Sequence, residues 1–249
     1  MIDNRKSYLR SHTSVGILLS GVFLAALDIS IAGPLLPAIG QELQMNDRQL
    51  SMVFSLFVLA NLSFVPLMVR LSDRIGRRLF FSVGVVVFSL ASLLTALAAD
   101  PFWLLSGRVL QGIGAAGIFP IATAMAGDVF PAGKRGRVLG ILGAVFGIAF
   151  MLGPPLAGIL MKYLSWRWVF GIAVFPGLAT AYSAIRLLPD LRQKSKPSPA
   201  LGSIFRLMVF LTGFTLAFTY TDDGNYGFAI RSDERRVGKE CRSRWLPYN

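Results

Sequence analysis

One cysteine, one histidine and thirteen acidic residues are spread over 249 positions. The lone Cys241 has no partner for an internal disulfide, and neither it nor His12 sits in a zinc-holding spacing. Walker A, dinucleotide-fold and metal-cluster patterns are all missing. The chain therefore reads as a non-enzyme without a cofactor or metal, and not as an ATP-driven pump. Charge is scarce too. Only 15% of residues are charged while 54% are hydrophobic, against about a quarter charged in a soluble domain. The net charge of +12 would suggest a nucleic-acid partner in a soluble protein. Here the basic residues sit in short segments between apolar runs, so topology explains them and no nucleic acid is expected. A cleavable leader is not expected either, because the first apolar segment is too long and lacks a cleavage site.

What the chain has is long apolar runs, each near the roughly 20 residues that cross a bilayer as a helix. Six full spans are predicted near Thr13–Leu36, Gln49–Leu71, Leu79–Ala98, Phe102–Ala126, Val138–Leu160 and Trp166–Leu188, with a weaker seventh at Ile204–Tyr220. The fold class is an all-α membrane protein: a six-helix bundle over residues 1–188, a cytoplasmic linker over 189–203, a truncated seventh helix over 204–220 and an irregular tail over 221–249. Within that tail, residues 231–249 (RSDERRVGKECRSRWLPYN) have no apolar period. They resemble a translated sequencing-library adapter and read as an artefact joined to a truncated coding sequence, to be set aside in fold reasoning.

Basic residues set the orientation. Arg5, Lys6 and Arg10 precede the first span. Arg70, Arg74, Arg77 and Arg78 join the second to the third, Lys134, Arg135 and Arg137 the fourth to the fifth, and Arg192, Lys194 and Lys196 follow the sixth. The alternate connections carry only Arg48, then none, then Lys162 and Arg167. The positive-inside rule puts the N-terminus in the cytoplasm, and a plasma-membrane location follows.

Four motifs stand out. Leu71-Ser72-Asp73-Arg74-Ile75-Gly76-Arg77-Arg78 is a short basic turn: Gly76 permits tight turning, and Asp73 can cap a helix or pair with an arginine. The alternative is a loop that only fixes topology. Arg108 lies inside the fourth span, followed by Gln111, Gly112, Gly114 and Gly117. A charge there is costly and a functional candidate by default, with snorkelling to the interface as the alternative. Asp28 sits in the middle of the first span, where burial disfavours the charged form and suits a carboxyl to carry a proton or meet a cationic substrate. Helix capping is the alternative. On the fifth span, Gly143, Gly147, Gly153, Pro154, Pro155 and Gly158 give a kinked, closely packed surface, or generic packing.

These motifs, in this order over Thr13–Asp190, resemble the major facilitator superfamily, drug:proton antiporter type. The loop resembles that family's signature, G-x-L-a-D-r-x-G-r-[rk], with Val69 in place of the first glycine. The resemblance makes Asp73, Arg74, Gly76, Arg77 and Arg78 a gating loop whose partner is an acidic residue at the end of the fourth helix, Asp128 here, so an Arg77–Asp128 contact is expected. The Arg108 run resembles the fourth-helix motif R-x-x-q-G-x-g-a-a, implicated in proton transfer. The Asp28 run resembles the first-helix antiporter motif L-D-x-T-I-V-N-V-A-L-P, with Ser30 for threonine and a departure at Gly33-Pro34. The fifth-span run resembles the exporter signature g-x-x-x-G-P-x-x-G-G, with Ala157 for a glycine. Gly112, Gly147, Gly153, Pro154 and Gly158 are thus expected to pack helices. Trp166-Arg167-Trp168-Val169-Phe170 looks like the family's sixth-span entry and is read as an interfacial anchor only.

Depth adds one more expectation. Asp28 lies about 22 Å along the first span from the cytoplasmic end, and Arg108 about 10 Å from the outer end of the fourth. In a core of about 30 Å these depths are similar, so the two are expected to share a cavity. The implied function is proton-coupled efflux of small amphipathic molecules by alternating access between two six-helix bundles. Its partners would be the small-molecule substrate, protons, the lipid bilayer and the missing C-terminal half of the chain. A carrier for another solute (a sugar or organic anion) and an inactive fragment are the alternatives.

Overall fold

The computed structural model describes residues 2–189, with side chains from Thr13 except Ala132, and isolated helical positions at 202, 206, 208–210 and 213. Most of the linker and of the expected seventh span, and the whole tail, lie outside the described residues.

Among the described residues, eight helices make six spans. They are α1 (Ile2–Leu43), α2 (Asp47–Ile75), α3 (Arg77–Ala96), α4 (Pro101–Ala115), α5 (Ile118–Val129), α6 (Ala132–Tyr163), α7 (Trp166–Ile172) and α8 (Val174–Leu187). Helices α4 and α5 form the fourth span and α7 and α8 the sixth; all six spans are long and apolar enough to cross a membrane. The first span runs to Leu43, seven residues beyond the sequence expectation. Pro34 and Pro37 look like a stop, but the helix continues through both, as membrane helices do when neighbours satisfy the freed carbonyls.

The turns are local chemistry. Asn46 accepts from the Gln49 amide at 2.9 Å and Gln49 Oε1 accepts from the Asn46 amide at 3.0 Å, a reciprocal cap that starts α2. Asp100 accepts from the Trp103 amide at 3.1 Å, and Pro101 at the first helical position suits the start of α4. Only Gly76, at φ 135°, separates α2 from α3. A side chain rarely adopts that backbone conformation.

The packing repeats. The first span lies on the fifth, the second on the fourth, and the third on the sixth. Exchanging spans 1–3 with spans 4–6 leaves these pairings unchanged. Three is odd, so the second triplet runs through the membrane inverted relative to the first. Small residues let the fourth span approach closely. A Cβ on Gly112 would sit 2.4 Å from the Phe57 carbonyl oxygen of α2, and one on Gly114 2.4 Å from the Phe88 amide of α3.

Among the described residues the core is two apolar clusters. One gathers Leu18, Val22, Phe57, Phe81, Phe88 and Met125. The other gathers Leu35, Ile39, Val53, Leu104, Trp166 and Phe170. On α1, α2, α3 and α4 the clusters adjoin one level, and there the polar residues Asp28, Ser92, Arg108 and Gln111 are buried. Apolar side chains such as Phe102, Phe175 and Tyr182 face outward, as expected for a bundle solvated by lipid.

Candidate functional site

Arg108 is fully buried between the clusters. Its Nη1 donates to Asp28 Oδ2 at 2.7 Å and to Gln111 Oε1 at 2.9 Å. Its Nε donates to the Val53 carbonyl at 3.0 Å. The guanidinium carbon lies 4.4 Å from the Phe57 ring centroid and 5.7 Å from that of Phe170, a face attractive to a desolvated cation. Gln111 Nε2 completes the network, donating to Asp28 Oδ1 at 3.1 Å and to Ser92 Oγ at 2.8 Å. Thr95 Oγ1 donates to Gln111 Oε1 at 3.2 Å. Arg108 Nη2 is buried without a hydrogen-bond partner among the described residues.

Each oxygen of Asp28 therefore takes one donor, and four helices supply the site. Desolvating two charges costs several kcal/mol per ion, about what a close, well-bonded pair returns. The arrangement is neutral as a whole and highly charged within. Anything that neutralises Asp28 leaves a cation in an apolar core. Asp28 also lines a cavity of about 310 Å³, walled mostly by apolar residues of α1, α6, α7 and α8, including Leu27, Ile31, Leu156 and Val169. The structure brings Asp28 and Arg108 together across 80 residues of sequence. It adds Gln111, Ser92 and Thr95, which the sequence reading did not assign. Gln111, one helical turn from Arg108, was the available signal.

A second cluster closes one end of the bundle. Arg77, 6% exposed, donates through Nη1 to Asp128 Oδ2 at 2.5 Å, and through Nε and Nη2 to Asp73 Oδ1 at 3.0 and 2.9 Å. Arg77 thus joins the ends of the second and fourth spans to the start of the third. Arg74 is exposed and Arg78 half-buried.

On the fifth span the glycines differ. A Cβ on Gly153 would overlap Ser30 Oγ, at 1.9 Å, whereas one on Gly147 or Gly158 would meet no described residue within 4 Å. Ser30 Oγ donates to the Ala149 carbonyl at 3.0 Å, pinning the first span to the fifth beside Gly153. Pro154 is exposed. In the sixth-span entry only Trp168 is exposed, at 59%, and Trp166 is 1% exposed. An interfacial anchor thus describes Trp168 but not Trp166, whose ring packs in the second apolar cluster while its indole N–H donates to Glu42.

A family model described as "Major Facilitator Superfamily" matches residues 18–229. The chain belongs to that superfamily. Among curated relatives, Multidrug resistance protein 3 of Bacillus subtilis (strain 168) is 33% identical over 192 residues, covering 77% of this chain and 37% of the relative. Riboflavin transporter RibZ of Clostridioides difficile (strain 630) is 29% identical over 189 residues, covering 74% of this chain and 41% of the relative. A crystal structure of the human organic anion transporter MFSD10 (TETRAN) superposes with a TM-score of 0.66 at 21% identity, covering 81% of this chain and 53% of that one. That likeness is one of fold. This major facilitator chain spans about two fifths of the length of these two curated relatives. It is a multi-pass membrane protein of a transporter family.

Proposed function

We propose that this chain is the N-terminal half of a proton-coupled exporter of small amphipathic molecules, with Asp28 as the proton site. The observation that carries the reading is the buried Asp28–Arg108 pair at 2.7 Å, cross-braced by Gln111. Protonating Asp28 removes the charge that Arg108 answers, so one proton reorganises contacts to four helices. A cationic substrate meeting Asp28 competes with Arg108 in the same way. The Arg77–Asp73–Asp128 cluster acts as the cytoplasmic gate, and the N-terminus lies in the cytoplasm of a cell bounded by this plasma membrane. The transport path lies between this bundle and a C-terminal half that the 249 residues do not contain, with 189–203 as the linker and 231–249 as an artefact. The name of one relative, a multidrug resistance protein, supports a drug-like substrate.

The test is transport by the gene with its downstream sequence, reconstituted in vesicles under an imposed pH gradient. Gradient-driven drug movement should be lost in Asp28→Asn. A solute carried equally well by both proteins favours the second reading, a carrier for another solute, for which the riboflavin transporter among the relatives is the supporting observation.

A further inference from the structure

The two ends of the bundle carry related charge clusters. Exchanging the span triplets maps the start of the third span onto the start of the sixth, and the end of the fourth onto the end of the first. Arg77 is the first residue of α3 and Arg167 the second of α7. Asp128 is the penultimate residue of α5 and Glu42 that of α1. Each arginine is ion-paired to the carboxylate at the related position. One pair belongs to the 72–78 turn; the other lies at the opposite end of the bundle and has no role in the reading above.

We propose that Glu42 is a positioning residue, which with Trp166 and Arg167 clamps the end of the first span and so orients the segment leading to Asp28. The strength of the clamp is not in the ion pair. The side chains of Arg167 and Glu42 are 30% and 46% exposed, and such pairs contribute little alone. Trp166 is different: its ring is buried among Ile39, Leu104 and Phe170, and its Nε1 donates to Glu42 Oε2 at 2.6 Å. Removing that acceptor leaves a buried donor unpaired, which costs more than the bond itself contributes. Arg167 extends the tie: its Nη2 donates to the Ala98 carbonyl at 3.0 Å, and its guanidinium carbon lies 4.5 Å from the Trp166 ring centroid. The clamp thus holds the ends of the first and third spans to the start of the sixth.

The first span needs this anchor. Between Asp28 and Glu42 stand Pro34 and Pro37, each lacking the amide that would bond back into the helix. A stretch with fewer internal bonds takes its direction from what holds its far end. Gly40 tightens the same region, since a Cβ there would sit 2.9 Å from Leu50.

Hydrogen exchange by mass spectrometry on the 249-residue chain in lipid nanodiscs tests the proposal. Glu42→Leu should quicken exchange in residues 36–43 by about tenfold, as expected for loss of a local tertiary anchor, and leave residues 72–78 unchanged. Glu42→Gln, which keeps an acceptor for the indole, should restore most of the protection. Adding Trp166→Phe to Glu42→Leu should recover part of it, because no donor is then left unpaired. If Glu42→Leu does not fold, Arg167→Gln carries the test, with a smaller rise confined to 36–43 and 166–172. Wild-type exchange in 36–43, or an equal rise in 72–78, overturns the proposal.

Discussion

At Arg108 the arithmetic of burial decides what substitution does. Removing one partner of a buried, bonded ion pair costs about 3–5 kcal/mol, mostly through the charge left behind, while replacing both is far milder. Asp28→Asn or Arg108→Gln alone should therefore lower unfolding stability in mixed micelles by about that amount, and the double variant should lose less than either. At the other polar cluster the expected coupling is smaller. The Asp128 side chain is 31% exposed, so a double-mutant cycle with Arg77→Ala and Asp128→Ala should give about 1 kcal/mol. The sequence exposed Arg108 and Asp28 as candidates because each is a charge in an apolar run. It hid Ser92 and Thr95, because hydroxyls on a buried helix satisfy their own turn and carry no signature. Trp166 was misread for a related reason: a tryptophan at a span end looks interfacial whether its indole meets lipid headgroups or Glu42.

Among the helices, the informative positions are those where a side chain is missing. Gly112 has the Phe57 carbonyl oxygen where its Cβ would be, and backbone cannot step aside as a flexible side chain can. Gly112→Ala should cost about 1–3 kcal/mol by overpacking, measured as thermal or denaturant stability in detergent. Gly147→Ala, with open space around it, should stay within about 0.5 kcal/mol. A spacing of small residues could not tell these apart, since it shows where close approach is possible and not which face is approached. The first six spans were legible because a 20-residue apolar run has few other uses. The end of the first span was not, because proline terminates helices in water and is accommodated in a packed bundle.

On the proposed reading the whole molecule is half of an alternating-access device. The second and fifth spans, related by the inverted repeat, are the least buried of the six. The 249-residue chain alone should insert into vesicles and transport nothing, whereas the gene with its downstream sequence should transport. Transport by the 249 residues alone would mean that one bundle suffices. The central claim, that Asp28 is where substrate and proton meet, is tested most directly by proton release on substrate binding. The measurement uses the full-length transporter in detergent at low buffer strength. Wild type should release protons when substrate is added, and Asp28→Asn should release none, even at substrate concentrations raised to offset its weaker binding. Release of the same size from Asp28→Asn would contradict the account.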